Sequence, residues 1–170
     1  MKALGDPVSL RGHPVYVILK LGLNTKSIPD SAHIVRELIL EKNLRDVVLL
    51  AHSKGGLIGR HILAYHNKDD RVRKMIAIGT PFAGSKIVRA MFSRSLRELD
   101  PESQTVREMH AEIHANSKIV SIYSVFDNHV WPHESAILPG AKNIKVEVPG
   151  HHRIVFDKTV RDIVMREIES

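Results

Sequence analysis

A serine that could act as a nucleophile stands in the hexapeptide Ala-His-Ser-Lys-Gly-Gly at residues 51–56. Ser53 has a small residue two positions before it, Ala51, and another two positions after it, Gly55. This is the pattern of a nucleophile elbow, in which a sharp turn between a strand and a helix exposes a serine hydroxyl. The pattern predicts that Ser53 is a nucleophile and that the backbone N–H of Lys54, at the start of the helix, stabilises an oxyanion.

A nucleophilic serine needs a base and an acidic group that orients this base. Asp127 stands in a loop after a predicted strand, and His151 and His152 follow a glycine near the C-terminus. These residues keep the chain order Ser, acid, His that is known for one class of such triads. Their spacing leaves both histidines open as the base. The simpler alternative is that Ser53 lies in an ordinary turn, that Asp127 caps a turn and that the histidines are exposed loop residues.

Apolar segments alternate with segments of helical periodicity along the chain. The predicted strands are runs rich in β-branched residues, at 15–19, 47–51, 75–78, 119–125 and 144–148. One predicted helix is capped by Asp30 or Ser31, and the others cover about 54–66, 86–99, 102–115 and 154–168. Continuous apolar strands separated by helices predict an α/β fold, a three-layer α/β/α sandwich with a mainly parallel sheet. Loops at the carboxyl ends of such strands are where these folds place their sites.

Length and composition restrict the classes of protein to consider. With 170 residues, the chain is predicted to form a single domain over residues 1–170. It has no cysteine, which excludes disulfides, thiolate metal sites and a cysteine nucleophile. The net charge of +6 is scattered, and no basic helix with stacking aromatic residues is present, so we expect no nucleic acid partner. Without a signal peptide or a membrane span, we expect a soluble, cytoplasmic protein, or a secreted one if the natural N-terminus is longer.

Four segments of the chain resemble the bacterial lipase and serine esterase branch of the α/β-hydrolase superfamily. They are Val47–Arg60, Ile78–Ser85, the loop of Asp127 and Gly150–Asp157. The resemblance covers most of the chain from about Tyr16 onward. It implies that Ser53 is the nucleophile, that Asp127 orients the base and that His151 is this base, because the family has apolar residues three and four positions after its histidine. The implied reaction is the hydrolysis of carboxylic esters, with lipid esters favoured, through an acyl-enzyme and without a metal or an organic cofactor.

Three aromatic or imidazole side chains adjoin these segments and are expected to contribute to substrate binding. Phe82 and Trp131 are candidates for an acyl pocket, with core or rim packing as the alternative, and His52 is a neighbour of the nucleophile. Residues 86–116 carry apolar side chains, Met91 and Phe92 among them, beside several arginines. This segment has two interpretations, a mobile lid that meets a lipid interface or a helical insertion packed over the sheet.

The chain departs from the resemblance before Tyr16. Members of the superfamily open with a strand and a His-Gly loop that supplies a second oxyanion donor, whereas here the order is Gly12-His13 and no apolar strand precedes it. Loss of one oxyanion donor typically lowers turnover about 10²- to 10³-fold. One hypothesis is therefore a weak or inactive remnant that binds lipid or a partner. The other is that a further segment, or a second copy paired along an exposed sheet edge, completes the enzyme.

Overall fold

The centre of the protein is a sheet of four parallel strands, seen in a computed structural model that describes residues 2–90 and 94–170. The strands are β1 (Val47–His52), β2 (Val72–Ile78), β3 (Ile119–Ser124) and β4 (Lys142–Val146), and they lie in this order across the sheet. All three pairings are parallel. The predicted α/β class with a parallel sheet is therefore confirmed, and the last strand begins and ends two residues earlier than predicted.

Helices cover both faces of this sheet. They are α1 (Lys2–Leu10), α2 (Ile28–Glu41), α3 (Lys54–His61), α4 (Gln104–Ala111) and α5 (Lys158–Glu169). Helices α2 and α3 lie on one face, and α1 and α5 lie on the other. A π-helical turn, Ile62–His66, continues α3. In the described part of the chain, no helix is both long and apolar enough to cross a membrane.

Strand β2 is buried from both sides, which explains its continuous apolar sequence. Met75 and Ala77 belong to the core beneath α2 and α3. Ile76 and Ile78 alternate with them and belong to the core beneath α1 and α5. Because side chains of a strand point alternately to the two faces, one strand supplies both cores.

Helix starts are set by side chains that accept hydrogen bonds from free backbone N–H groups. The cap of α2 is Ser27, whose Oγ accepts from the N–H of Asp30 at 3.1 Å, so the predicted caps Asp30 and Ser31 are wrong. The cap of α5 is Asp157, so this helix begins after the predicted start at residue 154. A separate 3₁₀ turn, Arg153–Val155, precedes it.

The predicted strand at residues 15–19 is absent. Residues 13–18 have no regular structure and Leu19–Leu21 forms a 3₁₀ turn, with Val17 and Leu19 exposed by 68% and 83%. In the described sheet β1 is an edge strand that pairs only with β2, and residues 15–19 pair with no strand of this sheet. A strand needs such a partner for its backbone groups. Upstream, α1 is a helix that the sequence did not predict, and its Leu4 packs into the core beside α5.

The segment 86–116 contains less α-helix than predicted. It consists of 3₁₀ turns at Lys86–Ala90, Arg94–Leu99 and Ile113–Lys118 around the short α4. Val88 and Leu99 are buried in the core, so the segment is packed over the sheet in this structure. Met91 and Phe92 lie outside the described residues, and opening of the segment as a lid stays a prediction.

Helix α3 approaches the sheet so closely that one of its glycines has no room for a side chain. A Cβ at Gly56 would lie 2.0 Å from Oγ1 of the buried Thr80, whereas a Cβ at Gly55 would make an ordinary contact of 3.5 Å with Ala51. We expect Gly56→Ala to lower the free energy of unfolding by about 1–3 kcal/mol, as overpacked cores do. Gly55→Ala is the matched control and should be neutral or stabilising by up to about 1 kcal/mol. Urea denaturation measures both, and equal effects of the two substitutions would contradict the close packing.

Candidate active site

Ser53 lies at the sharp turn between β1 and α3. Its backbone has φ +55° and ψ −126°, a conformation that costs a residue with a side chain about 1–3 kcal/mol. Two contacts hold it there: its N–H donates to the carbonyl of Ile78 at 2.9 Å, and the Thr80 hydroxyl donates to the Ser53 carbonyl at 3.0 Å. The predicted elbow is therefore present, with the side chain of Ser53 at the carboxyl edge of the sheet.

The structure joins Ser53, His151 and Asp127 in one hydrogen-bonded chain. Nε2 of His151 lies 2.8 Å from Oγ of Ser53, and Nδ1 of the same ring lies 2.8 Å from Oδ2 of Asp127. A carboxylate can only accept, so Nδ1–H of His151 donates to Asp127. The lone pair of Nε2 is then free to accept from the Ser53 hydroxyl. These residues come from loops after β1, β3 and β4, since parallel strands end at one edge.

Asp127 is a buried carboxylate that its hydrogen bonds keep ionised. Its side chain is 5% exposed, and Oδ1 accepts from the backbone N–H of His129 at 2.8 Å and of Val130 at 3.1 Å. Burial raises the pKa of Asp127, but the hydrogen bonds from His151, His129 and Val130 together outweigh it, so the pKa lies below its ordinary value. The negative charge fixes the proton of His151 on Nδ1.

The structure distinguishes between the two adjacent histidines. His151 is 3% exposed, and its backbone N–H donates to Oδ1 of Asn128 at 3.0 Å, which holds its loop against the loop of Asp127. His152 is exposed to solvent. The ring that reaches Ser53 therefore belongs to His151, and His152 lies beside it.

His52, the last residue of β1, braces the loop of His151. Its Nε2–H donates to the backbone carbonyl of His151 at 2.8 Å. Burial, followed by the positive charge that His151 can carry, lowers the pKa of His52 to about 4. His52 is therefore neutral at pH 7 and adds no second charge beside His151. Its expected contact with substrate stays a prediction.

The two aromatic candidates for an acyl pocket lie in different environments. Phe82 is 1% exposed and packs in the core, so its ring is closed to ligands in this structure. Trp131 is 52% exposed, and its ring meets the edge of His133 at a centroid distance of 5.0 Å. Of the two, Trp131 is the one that a ligand can reach, and binding of an acyl chain by either stays a prediction.

The side chain of Lys54 has a structural role that the sequence did not indicate. This side chain is 6% exposed, and its ammonium group donates to the carbonyls of Lys26 at 2.6 Å, Ser95 at 3.1 Å and Asn24 at 3.3 Å. Its Nζ also lies 3.4 Å from a carboxylate oxygen of Glu98. The residue after Ser53 thus ties two loops to the start of α3.

Three residues of the site were missed by sequence reasoning: Thr80, Asn128 and His129. Each follows the carboxyl end of a strand, Thr80 after β2 and the other two after Asp127 beyond β3. Position after a buried strand was therefore the available signal. Residue type gave none, since threonine, asparagine and histidine are common in loops.

Comparison with protein families gives one match, which covers most of the chain. A family model described as the PGAP1-like alpha/beta domain matches residues 23–164. This range contains the four strands, Ser53, Asp127 and His151. A comparison with curated proteins finds no match.

Solved structures with a similar fold include bacterial lipases and esterases. The mature lipase BlEst2 of Bacillus licheniformis has a TM-score of 0.65 and 16% identity, and the alignment covers 84% of this chain and 75% of that one. The lin2722 gene product of Listeria innocua has a TM-score of 0.60 and 16% identity over 85% of this chain and 68% of that one. The esterase RhEst1 of Rhodococcus sp. ECU1013 has a TM-score of 0.55 and 15% identity over 86% and 74% of the two chains.

At these identities the structural matches show a shared fold, and the family match shows kinship over most of the chain. The fold agrees with the parallel sheet and the turn at Ser53. The chain therefore belongs to the PGAP1-like alpha/beta domain family and has the fold of the α/β-hydrolase superfamily.

Proposed function

We propose that this protein is a serine hydrolase that cleaves carboxylic esters, with lipid esters as its favoured substrates. The observation that carries the proposal is the hydrogen-bonded chain from Ser53 through His151 to Asp127 at a nucleophile elbow. Each group has the protonation state that the chemistry needs, since the ionised Asp127 directs the free lone pair of His151 toward Ser53. The reaction uses no metal and no organic cofactor.

In the first half of the reaction, Oγ of Ser53 attacks the ester carbonyl while Nε2 of His151 takes the hydroxyl proton. Asp127 stabilises the imidazolium that forms. The backbone N–H of Lys54, at the first residue of α3, donates to the oxyanion of the tetrahedral intermediate. His151 then returns the proton to the leaving alcohol, which departs and leaves an acyl group on Ser53.

In the second half, water replaces the alcohol. His151 takes a proton from the water as its oxygen attacks the acyl carbonyl, and a second oxyanion forms at the same N–H of Lys54. The proton then passes to Oγ of Ser53, and the carboxylic acid leaves. The same three side chains serve both halves, so removal of any one of them slows both stages.

Exposed aromatic side chains beside the site favour an apolar acyl group. Phe126 precedes Asp127 and is 52% exposed, and Phe156 follows His151 by five positions and is 70% exposed. With Trp131, they place apolar surface on the loops that carry the site, where it can meet an acyl chain or a lipid interface. Two of the structural neighbours are named as a lipase and an esterase, which agrees with this substrate class.

The open edge of β1 favours a second candidate function, a catalytically weak or inactive hydrolase fold that binds lipid or a partner. All six residues of β1 are only half-buried, and Val15, Val17 and Leu19 of the apolar segment 15–19 are exposed. A second copy that pairs along this edge would cover it, and light scattering at micromolar concentration tests this. A monomeric mass would contradict self-association.

We expect Ser53→Ala and His151→Ala to abolish hydrolysis of p-nitrophenyl esters, because each removes a group that takes part in bond formation or proton transfer. Asp127→Asn should lower turnover about 10⁴-fold, since it favours the wrong tautomer of His151. The matched control is His152→Ala, which removes an exposed imidazole next in sequence and should retain activity. Esters of short and long chain length measure the substrate preference in the same assay.

The alternative function makes the opposite prediction for this assay. If the intact chain, shown to be folded by circular dichroism, hydrolyses no more ester than the Ser53→Ala variant, ester hydrolysis is refuted. Activity that survives in Ser53→Ala would refute the role of Ser53. If the intact chain binds lipid vesicles but hydrolyses no ester, this result would support the second candidate function.

The contacts of the Lys54 ammonium group with two loops give a separate prediction. We expect Lys54→Met to lower the free energy of unfolding by about 1–3 kcal/mol, because the Asn24, Lys26 and Ser95 carbonyls and Glu98 lose the partner that Nζ provides. Turnover should fall as well, since the loops beside Ser53 are released. Lys26→Met is the matched control, because the Lys26 side chain is exposed. Equal urea denaturation curves for the two variants would contradict a role for the Lys54 ammonium group.

A further inference from the structure

Four imidazole rings are clustered at the site, and the proposed reaction uses only one of them. The centroid of the His151 ring lies 4.6 Å from that of His52 and 4.7 Å from that of His129, while the rings of His129 and His152 are 5.2 Å apart. His52 braces the loop of His151, and His152 is exposed. The proposed mechanism of ester hydrolysis assigns no role to the side chain of His129.

One ring nitrogen of His129 is buried and has no hydrogen-bond partner among the described residues. Nδ1 of this ring is shielded from solvent, and no hydrogen bond to it is found within the described residues. A buried polar nitrogen without a partner destabilises the folded state, because it loses its hydrogen bonds to water. The backbone N–H of His129 serves Asp127, but the ring itself offers a lone pair or a proton to something outside the chain.

The atoms around this ring form a donor set for a metal ion. One ring nitrogen each of His129 and His151 and a carboxylate oxygen of Asp127 lie within 4.8 Å of one another. Imidazole and carboxylate donors bind zinc at about 2.0–2.2 Å, which places ligand atoms about 3–3.5 Å apart, so small side-chain rotations complete the set. Three protein ligands leave a coordination position open for water.

We propose that Asp127, His129 and His151 form a site for a divalent transition metal ion of the zinc class, and that this ion switches off the hydrolase. Imidazole with carboxylate suits zinc and its neighbours in the first transition series better than magnesium or calcium, which prefer oxygen ligands alone. Asp127 and His151 alone offer two ligands, and His129 supplies the third.

Inhibition follows from the chemistry of His151, and this part of the inference rests on the proposed function. An ion bound at Nδ1 uses the lone pair of this nitrogen, so the ring proton moves to Nε2, which then has no lone pair to accept the proton of Ser53. An ion bound at Nε2 occupies the lone pair that takes the proton of Ser53. Either way the imidazole can no longer act as the base, so the metal-bound and active states exclude each other.

The binding test is independent of catalysis because it uses the Ser53→Ala chain. After dialysis against EDTA and removal of the chelator, zinc chloride is titrated calorimetrically into this variant. We expect one zinc ion per chain, with about tenfold or greater weakening when His129→Gln is added. His110→Gln is the matched control, since it removes an exposed histidine from α4 and should leave the affinity unchanged. His129→Asn repeats the test if His129→Gln does not fold.

A second readout uses the intact chain and the ester assay. Zinc should inhibit hydrolysis, EDTA should restore it, and the ratio of rates with and without zinc should approach one in His129→Gln. Equal zinc affinity in the His129→Gln and His110→Gln variants would overturn the proposal. Zinc binding that depends on His129 in a chain that hydrolyses no ester would uphold the metal site and refute the proposed function instead.

Discussion

The backbone of Ser53 is the constraint on which the rest of the site depends. A residue with φ +55° returns to ordinary geometry unless its neighbours prevent it, and here the carbonyl of Ile78 and the hydroxyl of Thr80 bond to its two backbone groups. Ile78 is the last residue of β2 and Thr80 follows two positions later, so the strained turn is held by the neighbouring strand and the loop after it. The parallel pairing of β1 and β2 and the tight packing at Gly56 thus determine where the side chain of Ser53 points.

Electrostatics at the site are arranged around a single buried negative charge. Asp127 retains its charge because backbone and imidazole N–H groups supply more stabilisation than burial removes. Burial and the nearby His151 lower the pKa values of His52 and His129, which disfavours a positive charge on either ring. A neutral imidazole with a free lone pair is the form that accepts a proton, and it is also the form that binds a metal ion. The proposed base role and the proposed metal site would therefore compete for the same imidazole ring, that of His151.

The periphery of the site is held in a different way. Lys54 connects two loops through carbonyl oxygens and Glu98, and Arg89 forms two hydrogen bonds with Asp100 across the segment over the sheet. Polar contacts of this kind are directional and exchange with water at modest cost. The elbow, by contrast, rests on the core beneath α3. The turn at Ser53 thus rests on core packing, whereas the segment over the sheet combines buried apolar contacts with polar ones.

The sequence by itself determined the fold class, the elbow at Ser53 and the order of the candidate triad, because these depend on local patterns: apolar runs, helical periodicity and small residues at fixed spacing. Tertiary structure decided whatever depends on residues distant in the chain. It selected His151 over His152 through Asn128, buried Phe82 in the core and left residues 15–19 without a partner strand. It also gathered His52 and His129 around His151. The physical reason is that hydrogen bonds and burial are set by distance in space, which no local pattern encodes.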